Sequence, residues 1–460
     1  MLNTLYLPEL RELLAENNNV ELAGFCVALH PARTAEFMEG LTAAEAWSVL
    51  LRTHVTQRAA IFTYFVIDKQ VEIAESQQRE EIADLIAEMP PDDRVDLLRE
   101  MSAGVVTELL PLLPSEERRD ILRLRAYSEE SAGALMTTEF AKLGEQLTVQ
   151  EAMEELGKQA AQLETINYLY VVDVAQEDRL RGVLSARQLL SAIAKPDIPL
   201  ADLIERDLVT VNVLEDQEEI ANKVAHFDLM AIPVVDDDQR MLGIITHDDV
   251  IDVMREEATE DAHRIAAVEP LTESYLNTPL LTLTWKRGIW LTVLFVAALM
   301  TAFALDYYEE HHLHYWPWLV AFIPLVISSG GNTGSQTATL VITGLATGDV
   351  TLTDWSSVVR REMVVGLLLG AALALIGFLV ACVMRDGNFI EATVLPCTLL
   401  LVVLCGTIVG AVLPLTFQRL GWDPAMMSNP FVAGIIDIVG IVIYMSVAAL
   451  VLHDTVPGSE

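Results

Sequence analysis

Long apolar runs fill the carboxyl-terminal part of the chain and predict membrane helices. Four of the runs, 288–305, 315–348, 363–384 and 392–418, contain no charged side chain, and the last, 424–452, contains one. Because about 20 apolar residues span a bilayer, we expect five membrane helices, over about 288–307, 315–348, 360–384, 392–418 and 424–452. At ~1.5 Å per residue the second run exceeds one crossing, so part of it must tilt, protrude or break near its glycines.

The amino-terminal region shows the apolar periodicity of short helices instead. Two passages nearly repeat, PPDDRVDLL from Pro90 and PSEERRDIL from Pro114. In each, proline and first-turn acids suit the free amides and the dipole of a helix start, and an aliphatic face follows. The 24-residue period predicts stacked short helices, an acidic α-superhelix over 1–130.

A second repeat lies between the helical region and the membrane runs. YLYVVDVAQEDRLRGVLSARQLL starts at Tyr168, and MAIPVVDDDQRMLGIITHDDVI starts at Met230. Each passage has the pattern of a strand, an acidic turn, a second strand and a helix. This unit resembles the CBS domain, and its two copies predict a tandem α/β pair over about 131–195 and 196–253.

The CBS resemblance implies a ligand site, because such pairs often bind adenine nucleotides through the aspartate of a G-h-x-(S/T)-x-x-D motif. The second copy has Gly243, Thr246 and Asp249 in that motif, whereas the first copy has Gln188 at the aspartate position. ATP is therefore a candidate ligand through Thr246 and Asp249. The alternative is a helix N-cap with an acid in the first turn.

Charge divides the chain in two. Residues before Lys286 include 54 acidic and 23 basic side chains, and the remainder include 12 acidic and 6 basic ones. The acidic surplus argues against nucleic acid as a partner, since phosphate binding needs clustered Lys and Arg. The acidic surplus fits either a binder of cations or a very soluble module. An enzyme is not expected, because the sequence has neither a nucleophile–base pair nor a phosphate-binding loop.

Lysine and arginine also predict the orientation of the membrane helices. One side is flanked by Lys286, Arg287, Arg360, Arg361 and Arg419, and the other side by Arg385. We therefore expect the amino-terminal domains in the cytoplasm and the tail 453–460 outside.

The second apolar run carries SSGGNTGSQTATL at its centre. As a helix, this segment aligns six polar side chains on one stripe: Ser328, Asn332, Ser335, Gln336, Thr339 and Thr343. Polar groups inside a bilayer face protein or water, so the stripe favours one wall of an aqueous path over tight packing by hydrogen bonds. Gly330, Gly331 and Gly334 allow another backbone to approach, or the helix to unwind and offer carbonyl groups.

Asp437 is an isolated acid in the sequence VAGIIDIVGIVIYM. A carboxylate at the centre of a membrane helix costs about 2.5–3.5 kcal/mol, and no Lys or Arg occurs at comparable depth to compensate it. Three explanations are open: a cation that passes through, a proton relay, or a protonated side chain hydrogen-bonded to a neighbour. We rank ion binding first and a proton relay second.

The sequence THDDVIDVMREEATEDAH, at the end of the second CBS copy, predicts an acidic helix. A helical wheel places Asp249, Asp252, Glu256 and Glu260 on one face, and Val250, Ile251, Met254 and Ala258 on the opposite face. Like charges at i,i+4 repel by roughly 0.2–0.5 kcal/mol per pair. Divalent cations that prefer oxygen ligands would therefore stabilise this face. The alternative is a solvated acidic surface.

The loop YYEEHHLHYWPW holds Glu309, Glu310, His311, His312 and His314. Imidazoles suit transition metals better than magnesium, so metal capture is one hypothesis for this loop. An interfacial loop beside tryptophans is the simpler interpretation.

Three motifs, GGNTGSQTATL, DPAMMSNPFVAGIIDIVG and DDVIDVMREEATED, give the chain its resemblance to the MgtE family of magnesium channels. The resemblance covers essentially the whole chain and implies a multidomain membrane protein. Its parts are an α-helical superhelical N domain at 1–130, a tandem α/β CBS pair at 131–253, a plug helix at 254–285 and a five-helix all-α transmembrane domain at 286–460. Family members are homodimers of the bacterial inner membrane whose second and fifth membrane helices line a central pore.

The resemblance also implies roles for particular residues. Asp437 is the pore carboxylate, and Ala433, Gly434 and Asn332 lie beside it. Cytosolic Mg²⁺ bridges acids of the helical domain, the CBS pair and the plug, and so closes the pore. Those sensor acids are Asp249, Asp252, Glu257, Glu260, Asp261, Asp228, Glu218, Asp93 and Asp96, with Asp92 as a further candidate.

We therefore expect a Mg²⁺-selective channel or transporter for magnesium uptake, closed by cytosolic Mg²⁺. A broader transporter of manganese, cobalt or zinc is one alternative, and a proton-coupled transporter that uses Asp437 is another. A nucleotide sensor with a purely anchoring membrane domain is disfavoured, because an anchor needs neither the polar stripe nor Asp437.

Overall fold

The computed structural model describes residues 6–160, 163–271, 275–276, 278–309, 316–384 and 388–452. The described residues form two compact units, which meet in the sequence between Arg255 and Glu256. Several residues named above lie outside the described ranges: Glu310, His311, His312 and His314 of the predicted outer loop, Arg385, and the tail 453–460.

The first unit begins with a stack of short helices. They are α1 (Leu7–Ala15), α2 (Asn19–Ala28), α3 (Pro31–Met38), α4 (Ala43–Leu50), α5 (Val55–Phe62), α6 (Ile67–Ser76), α7 (Arg79–Ala87), α8 (Pro91–Glu100), α9 (Ala103–Leu109) and α10 (Ser115–Leu124). Each helix from α3 to α8 packs against the helix two places further along the chain. Pro90 and Pro114 are the N-cap residues of α8 and α10, with acids in the first turn of each. The predicted α-superhelix is confirmed.

Two three-stranded sheets follow. Their strands are β1 (Phe140–Gly144), β2 (Thr165–Asp173), β3 (Arg179–Ser185), β4 (Val211–Asn212), β5 (Ala231–Val235) and β6 (Met241–Thr246). In each sheet the first strand is parallel to the second, and the second is antiparallel to the third. The accompanying helices are α11 (Ala132–Leu135), α12 (Val149–Gln159), α13 (Ala186–Ala192) and α14 (Gln217–His226). The tandem α/β repeat predicted from the sequence is confirmed.

One apolar core joins the helical stack to the second repeat. It includes Leu97 and Leu98 of α8, Ile232 of β5, and Val250 near the carboxyl end of β6. A smaller core, with Tyr170 among its members, joins the two repeats to each other. Burial of apolar surface therefore holds α8 against the second repeat, and that packing positions the acidic residues described below.

The helix α15 (His247–Ile265) carries the chain into the second unit. That unit contains α16 (Leu280–Tyr308), α17 (Ile323–Ala346), α18 (Trp355–Met384), α19 (Phe389–Arg419) and α20 (Asn429–Val451). Among the described residues, four helices are long and apolar enough to cross a membrane, namely α16, α18, α19 and α20. The polar side chains of α17, which has 24 residues, make it less apolar than these four.

The helix α17 packs against both α19 and α20, while α18 packs on α19 and α16 on α20. A 3-10 turn at Pro317–Phe322 precedes α17, and Pro324 lies in its first helical turn. A first-turn proline is tolerated because its missing N–H would have no helical partner there. The irregularity expected in the second run therefore falls before α17, and the glycines lie within an unbroken helix.

Candidate functional site

Glycines bring α17 and α19 into close backbone contact. A Cβ atom on Gly406 would lie 2.8 Å from the carbonyl oxygen of Gly330, and one on Gly410 would lie 2.3 Å from that of Gly334. Since real Cβ atoms do not approach so closely, these positions require glycine. The sequence left two roles open for the α17 glycines: close approach of another backbone, or unwinding of the helix. In the structure Gly330 and Gly334 allow the close approach of α19, and the segment remains helical.

The polar stripe of α17 divides into two sets. Ser328, Asn332, Gln336 and Thr343 are exposed on the protomer. Ser335 and Thr339 are half-buried and point to α20, where their hydroxyls donate to the backbone oxygen and the side-chain oxygen of Asn429, at 3.0 and 3.1 Å. The stripe is therefore both a helix contact and an open polar surface.

Asp437 lies on α20 opposite a glycine of α17. A Cβ atom on Gly331 would be 3.4 Å from Oδ1 of Asp437 and 3.4 Å from Cβ of Ala433. One on Gly434 would meet no atom within 4 Å, so this glycine borders open space. Asp437 is half-buried, and within the described part of the chain it has neither a salt bridge nor a hydrogen bond. Its carboxylate is therefore available to a ligand.

Two polar contacts of this bundle were not predicted from the sequence. Asn429, at the start of α20, accepts the two α17 hydroxyls, and the hydroxyl of Thr337 donates to Glu362 of α18 at 2.9 Å. Glu362 directly precedes the third apolar run, which made it resemble a flanking charge. The position of Glu362 at a run boundary was the available signal for its contact, whereas Asn429 lies inside the fifth run, 424–452.

A second group of acids gathers between α8 and the second repeat. Burial, followed by the charges of Asp93 and Asp249, raises the pKa of Asp92 well above its ordinary value. Burial, with Asp96 and Asp249 next, raises the pKa of Asp93 to about 7. The pKa of Asp249 is raised by burial as well, against the hydrogen bond from Thr246. These carboxylates therefore repel one another across the packed surfaces.

Glu164 belongs to the same group, although no motif marked it. It precedes β2, and partial burial, together with Asp249 and Asp248, raises its pKa. One oxygen of Asp92 is buried without a hydrogen-bond partner in the described chain. We name this group the α8 acid cluster: Asp92, Asp93, Asp96, Glu164, Asp248 and Asp249.

The other predicted sensor acids lie elsewhere. Glu218 is exposed in the first turn of α14, and Asp228 is exposed just after that helix with a left-handed backbone, φ 51°. Asp252 is exposed on α15, 3.5 Å from Arg255. In the second unit, Glu257 is half-buried and Glu260 pairs with Arg264.

Asp261 is half-buried in the second unit. Burial and the charges of Asp423 and Glu257 raise its pKa. Within the described residues no three His, Cys, Asp or Glu side chains converge as a ready-made metal site. A bound ion would therefore have to reach these acids through its own waters or through their movement.

The apolar face predicted for α15 is partly wrong. Val250 and Val253 are buried, whereas Ile251 and Met254 are 51% and 47% exposed. Among the described residues of α15, the ones buried in the core of the first unit are Val250 and Val253, which are spaced i,i+3.

The proposed nucleotide residues form helix caps. The hydroxyl of Thr246 donates to Asp249 at 2.6 Å, and its backbone N–H donates to the same oxygen at 3.4 Å. Ser185 and Gln188 form the equivalent capping box in the first copy. The glutamine therefore performs the structural role of the missing aspartate, and the N-cap interpretation describes both copies.

A concave site lies instead between the two CBS copies. This cleft, of about 400 Å³, is lined by Tyr168, Tyr170, Val183, Glu205, Asp207, Leu208, Val209, Phe227, Leu229, Ala231 and Pro233. The hydroxyl of Tyr170 is buried without a hydrogen-bond partner in the described residues. Flat aromatic rings and an unsatisfied hydroxyl are suited to a planar heterocyclic ligand.

A helical bundle with a polar helix and a lone carboxylate, joined to acidic helical and CBS domains, defines a multi-pass membrane protein of the transporter class. Family models match it in order: the MgtE intracellular N domain at 29–130, the CBS domain at 132–195 and 200–256, and the divalent cation transporter model MgtE at 323–447. The chain belongs to the MgtE family of divalent cation transporters.

Named relatives agree with this assignment. The chain is 42% identical over 330 residues to the magnesium transporter MgtE of Thermus thermophilus, covering 72% of each chain. It is 34% identical over 327 residues to that of Enterococcus faecalis, covering 71% of this chain and 70% of the relative.

Two solved structures resemble the amino-terminal part. One is the soluble part of a magnesium transporter, at 35% identity and a TM-score of 0.51, covering 55% of this chain and 97% of that one. The other is the cytosolic domain of the Mg²⁺ channel MgtE in complex with ATP, at 32% identity and a TM-score of 0.50, covering 53% and 98%.

Proposed function

We propose that the chain is a magnesium transporter without catalytic activity, and that Mg²⁺ passes along α17 and α20 beside Asp437. The observation that carries this proposal is the carboxylate of Asp437, which lies next to Gly331, while Gly434, one turn before Asp437 on α20, borders open space. Mg²⁺ gives up its waters reluctantly. One carboxylate with polar groups and open space around it suits a hydrated ion better than a closed cage does.

The transporter acts as a homodimer. Asn332 and Gln336 are polar and exposed on a helix whose length of about 36 Å is sufficient to cross the bilayer. Polar side chains do not face lipid without cost. A second copy across a two-fold axis would cover this stripe, place its own Asp437 opposite the first, and make α17 a fifth membrane helix.

The soluble unit supports the same pairing. Leu190 of α13 and Ile193, which directly follows that helix, are 57% and 51% exposed, and Ile251 and Met254 occupy the equivalent positions of α15. An internal repeat that exposes the same two aliphatic positions twice offers a surface that a second copy can cover symmetrically.

Magnesium on the cytosolic side closes the path. The α8 acid cluster brings Asp93, Asp249 and Glu164 together although their charges repel, and a divalent cation would stabilise that arrangement. An ion favours whichever state binds it more tightly. Further sensor acids are Asp96, Asp252, Glu257, Glu260, Asp261, Glu218 and Asp228. Most of the Lys and Arg residues that flank the membrane helices lie on the same side as the soluble domains, which favours that side as the cytoplasmic face of a bacterial inner membrane.

The CBS cleft binds an adenine nucleotide, a proposal supported by the solved cytosolic domain named above, which is in complex with ATP. Tyr168 and Phe227 supply aromatic faces, and Tyr170 supplies a buried hydroxyl. A nucleotide bound to one state of the CBS pair would shift how strongly magnesium closes the path.

Flux measurements on the purified protein in liposomes test the proposal. Asp437→Asn should lower Mg²⁺ uptake by at least about tenfold, equivalent to ~1.4 kcal/mol. Asp306→Asn, which removes an exposed acid at the end of α16, should leave uptake within twofold. Uptake by Asp437→Asn equal to that of the unchanged protein would exclude Asp437 from the path.

The same assay separates the alternatives. The family model describes divalent cation transport in general, so zinc, manganese and cobalt are compared at equal concentration. Faster flux of zinc than of magnesium would favour the broader transporter. Uptake that requires an imposed pH gradient would favour proton coupling through Asp437.

A further inference from the structure

The end of α15 is part of the membrane-helix unit. Residues 256–265 belong to the second compact unit, and Ile265 packs against its apolar core. Beyond the helix, the chain turns at Ala267, which has a left-handed backbone with φ 58°. The side chain of Lys286, in α16, donates to the carbonyl of Pro270. Movement of this helix end therefore acts directly on the bundle.

Arg264 joins that helix end to the turn before α20. Its guanidinium forms ion pairs with Glu260 of its own helix and with Asp423. The side chains of Arg264, Glu260 and Asp423 are 34%, 22% and 30% exposed. Partial shielding from water makes such a pair stronger than an open surface pair. A planar guanidinium can also hold two carboxylates at once.

Asp423 uses its two oxygens for different partners. Oδ2 accepts from Arg264, and Oδ1 accepts from the backbone N–H of Ala425 at 2.7 Å. Ala425 lies in the 3-10 turn Pro424–Met426, which leads into α20 at Asn429. One carboxylate therefore fixes the start of α20 and the end of α15 together.

Asn429 continues the connection to the polar helix. Its backbone oxygen accepts from Ser335 and its side-chain oxygen accepts from Thr339, both on α17. Polar contacts thus run from Arg264 through Asp423 and the turn to Asn429, where α17 and α20 meet.

We propose that Arg264 is a positioning residue that couples the end of α15 to the contact between α17 and α20, through Asp423. The inference rests on the proposed function, because it concerns how closure by magnesium reaches the path. With the ion pair intact, a shift of α15 moves the turn and with it Asn429. Without the pair, α15 can shift while the path stays open.

The test measures Mg²⁺ flux in excised membrane patches while magnesium at the cytosolic face is varied. The variants are Arg264→Gln, Asp423→Asn and the double variant. Asparagine keeps an oxygen for the N–H of Ala425, so the turn is preserved while the ion pair is lost. Each variant should keep the flux measured at the lowest magnesium concentration within twofold. Each should raise the half-closing concentration by at least about fivefold.

The double variant separates coupling from two independent effects. Since both single variants break the same contact, the double variant should match either one. Arg264→Lys should retain part of the coupling. The matched control is Arg419→Gln, which removes an exposed charge at the carboxyl-terminal end of α19 and should leave the half-closing concentration unchanged. Additive shifts, or an unchanged half-closing concentration in Arg264→Gln, would overturn the inference.

Failure of the inference is distinguishable from failure of the proposed function. If Asp249→Ala raises the half-closing concentration but Arg264→Gln does not, magnesium closure stands and the role of Arg264 is wrong. If the unchanged protein is not closed by cytosolic magnesium, the proposed gating itself is wrong.

Discussion

The carboxylate of Asp437 faces Gly331 so closely that a Cβ atom on this glycine would lie 3.4 Å from Oδ1. That distance is ordinary van der Waals contact, so a methyl group fits without moving either helix. It would, however, occupy space that a hydrated ion beside the carboxylate needs. Unlike Gly330 and Gly334, which lie against α19, Gly331 is therefore expected to serve ion passage more than packing.

Gly331→Ala should separate transport from stability. We expect the thermal unfolding temperature to stay within about 2 °C, since a fitting methyl costs less than ~1 kcal/mol. We expect Mg²⁺ uptake to fall severalfold, because the methyl displaces water from the ion. Flux in liposomes and thermal unfolding of the same preparation check both. Normal uptake would mean that the ion does not pass this point.

Gly410→Ala should have the opposite effect. Its Cβ would lie 2.3 Å from the carbonyl oxygen of Gly334, so α17 and α19 must move apart. Overpacking of this kind typically costs about 1–3 kcal/mol. Thermal unfolding in detergent should show the loss. The matched control is Gly288→Ala, whose Cβ would meet nothing within 4 Å, and equal unfolding temperatures for the two variants would contradict the packing role.

The α8 acid cluster predicts a pH dependence in metal-free buffer. The folded-state pKa of Asp93, about 7, exceeds the value of about 4 in the unfolded chain. The ionised group therefore destabilises the fold above pH 7, and this penalty is relieved as pH falls below 7. Between pH 8 and pH 6 the free energy of unfolding should rise by about 1 kcal/mol.

Chemical denaturation of the purified protein measures this change. Millimolar Mg²⁺ at pH 8 should stabilise the fold in the same direction, because a divalent cation relieves the same repulsion. Asp93→Asn should weaken both effects. A free energy of unfolding that decreases from pH 8 to pH 6 would show that the cluster is not under repulsion.

Phe227→Ala should weaken ATP binding, whereas Thr246→Val should not. Phe227 lines the CBS cleft, and stacking of a base on an aromatic ring is worth about 1–3 kcal/mol, or roughly five- to 100-fold in affinity. Thr246 instead caps α15, so its loss should cost about 1 kcal/mol of stability. Titration calorimetry with ATP and thermal unfolding distinguish the two roles. Loss of ATP binding in Thr246→Val alone would restore the motif as the ligand site.

Sequence patterns predicted those features that depend on residues close together in the chain. The proline-led repeats at Pro90 and Pro114 and the twofold strand pattern from Tyr168 predicted the superhelix and the CBS pair. Asp437 was identified as a candidate ion-binding residue because no residue near it in the sequence is charged.

Contacts between distant residues were beyond those patterns. Glu164 joins Asp249 only because apolar packing brings the start of β2 beside α15, and no feature around Glu164 signals it. The cleft at Phe227 exists only between two assembled repeats. The tertiary packing of α15 leaves Ile251 exposed, although the helical wheel placed it on the apolar face.

The order of polar and apolar residues determined which segments are helices, strands and membrane runs, because its periodicity indicates which face of each element is buried. Tertiary structure alone decided the partners: Gly331 for Asp437, Asp423 for Arg264, and Asn429 for the hydroxyls of α17. The physical reason is that a partner is selected by the packing of the whole unit, in which residues far apart in the chain compete for the same space.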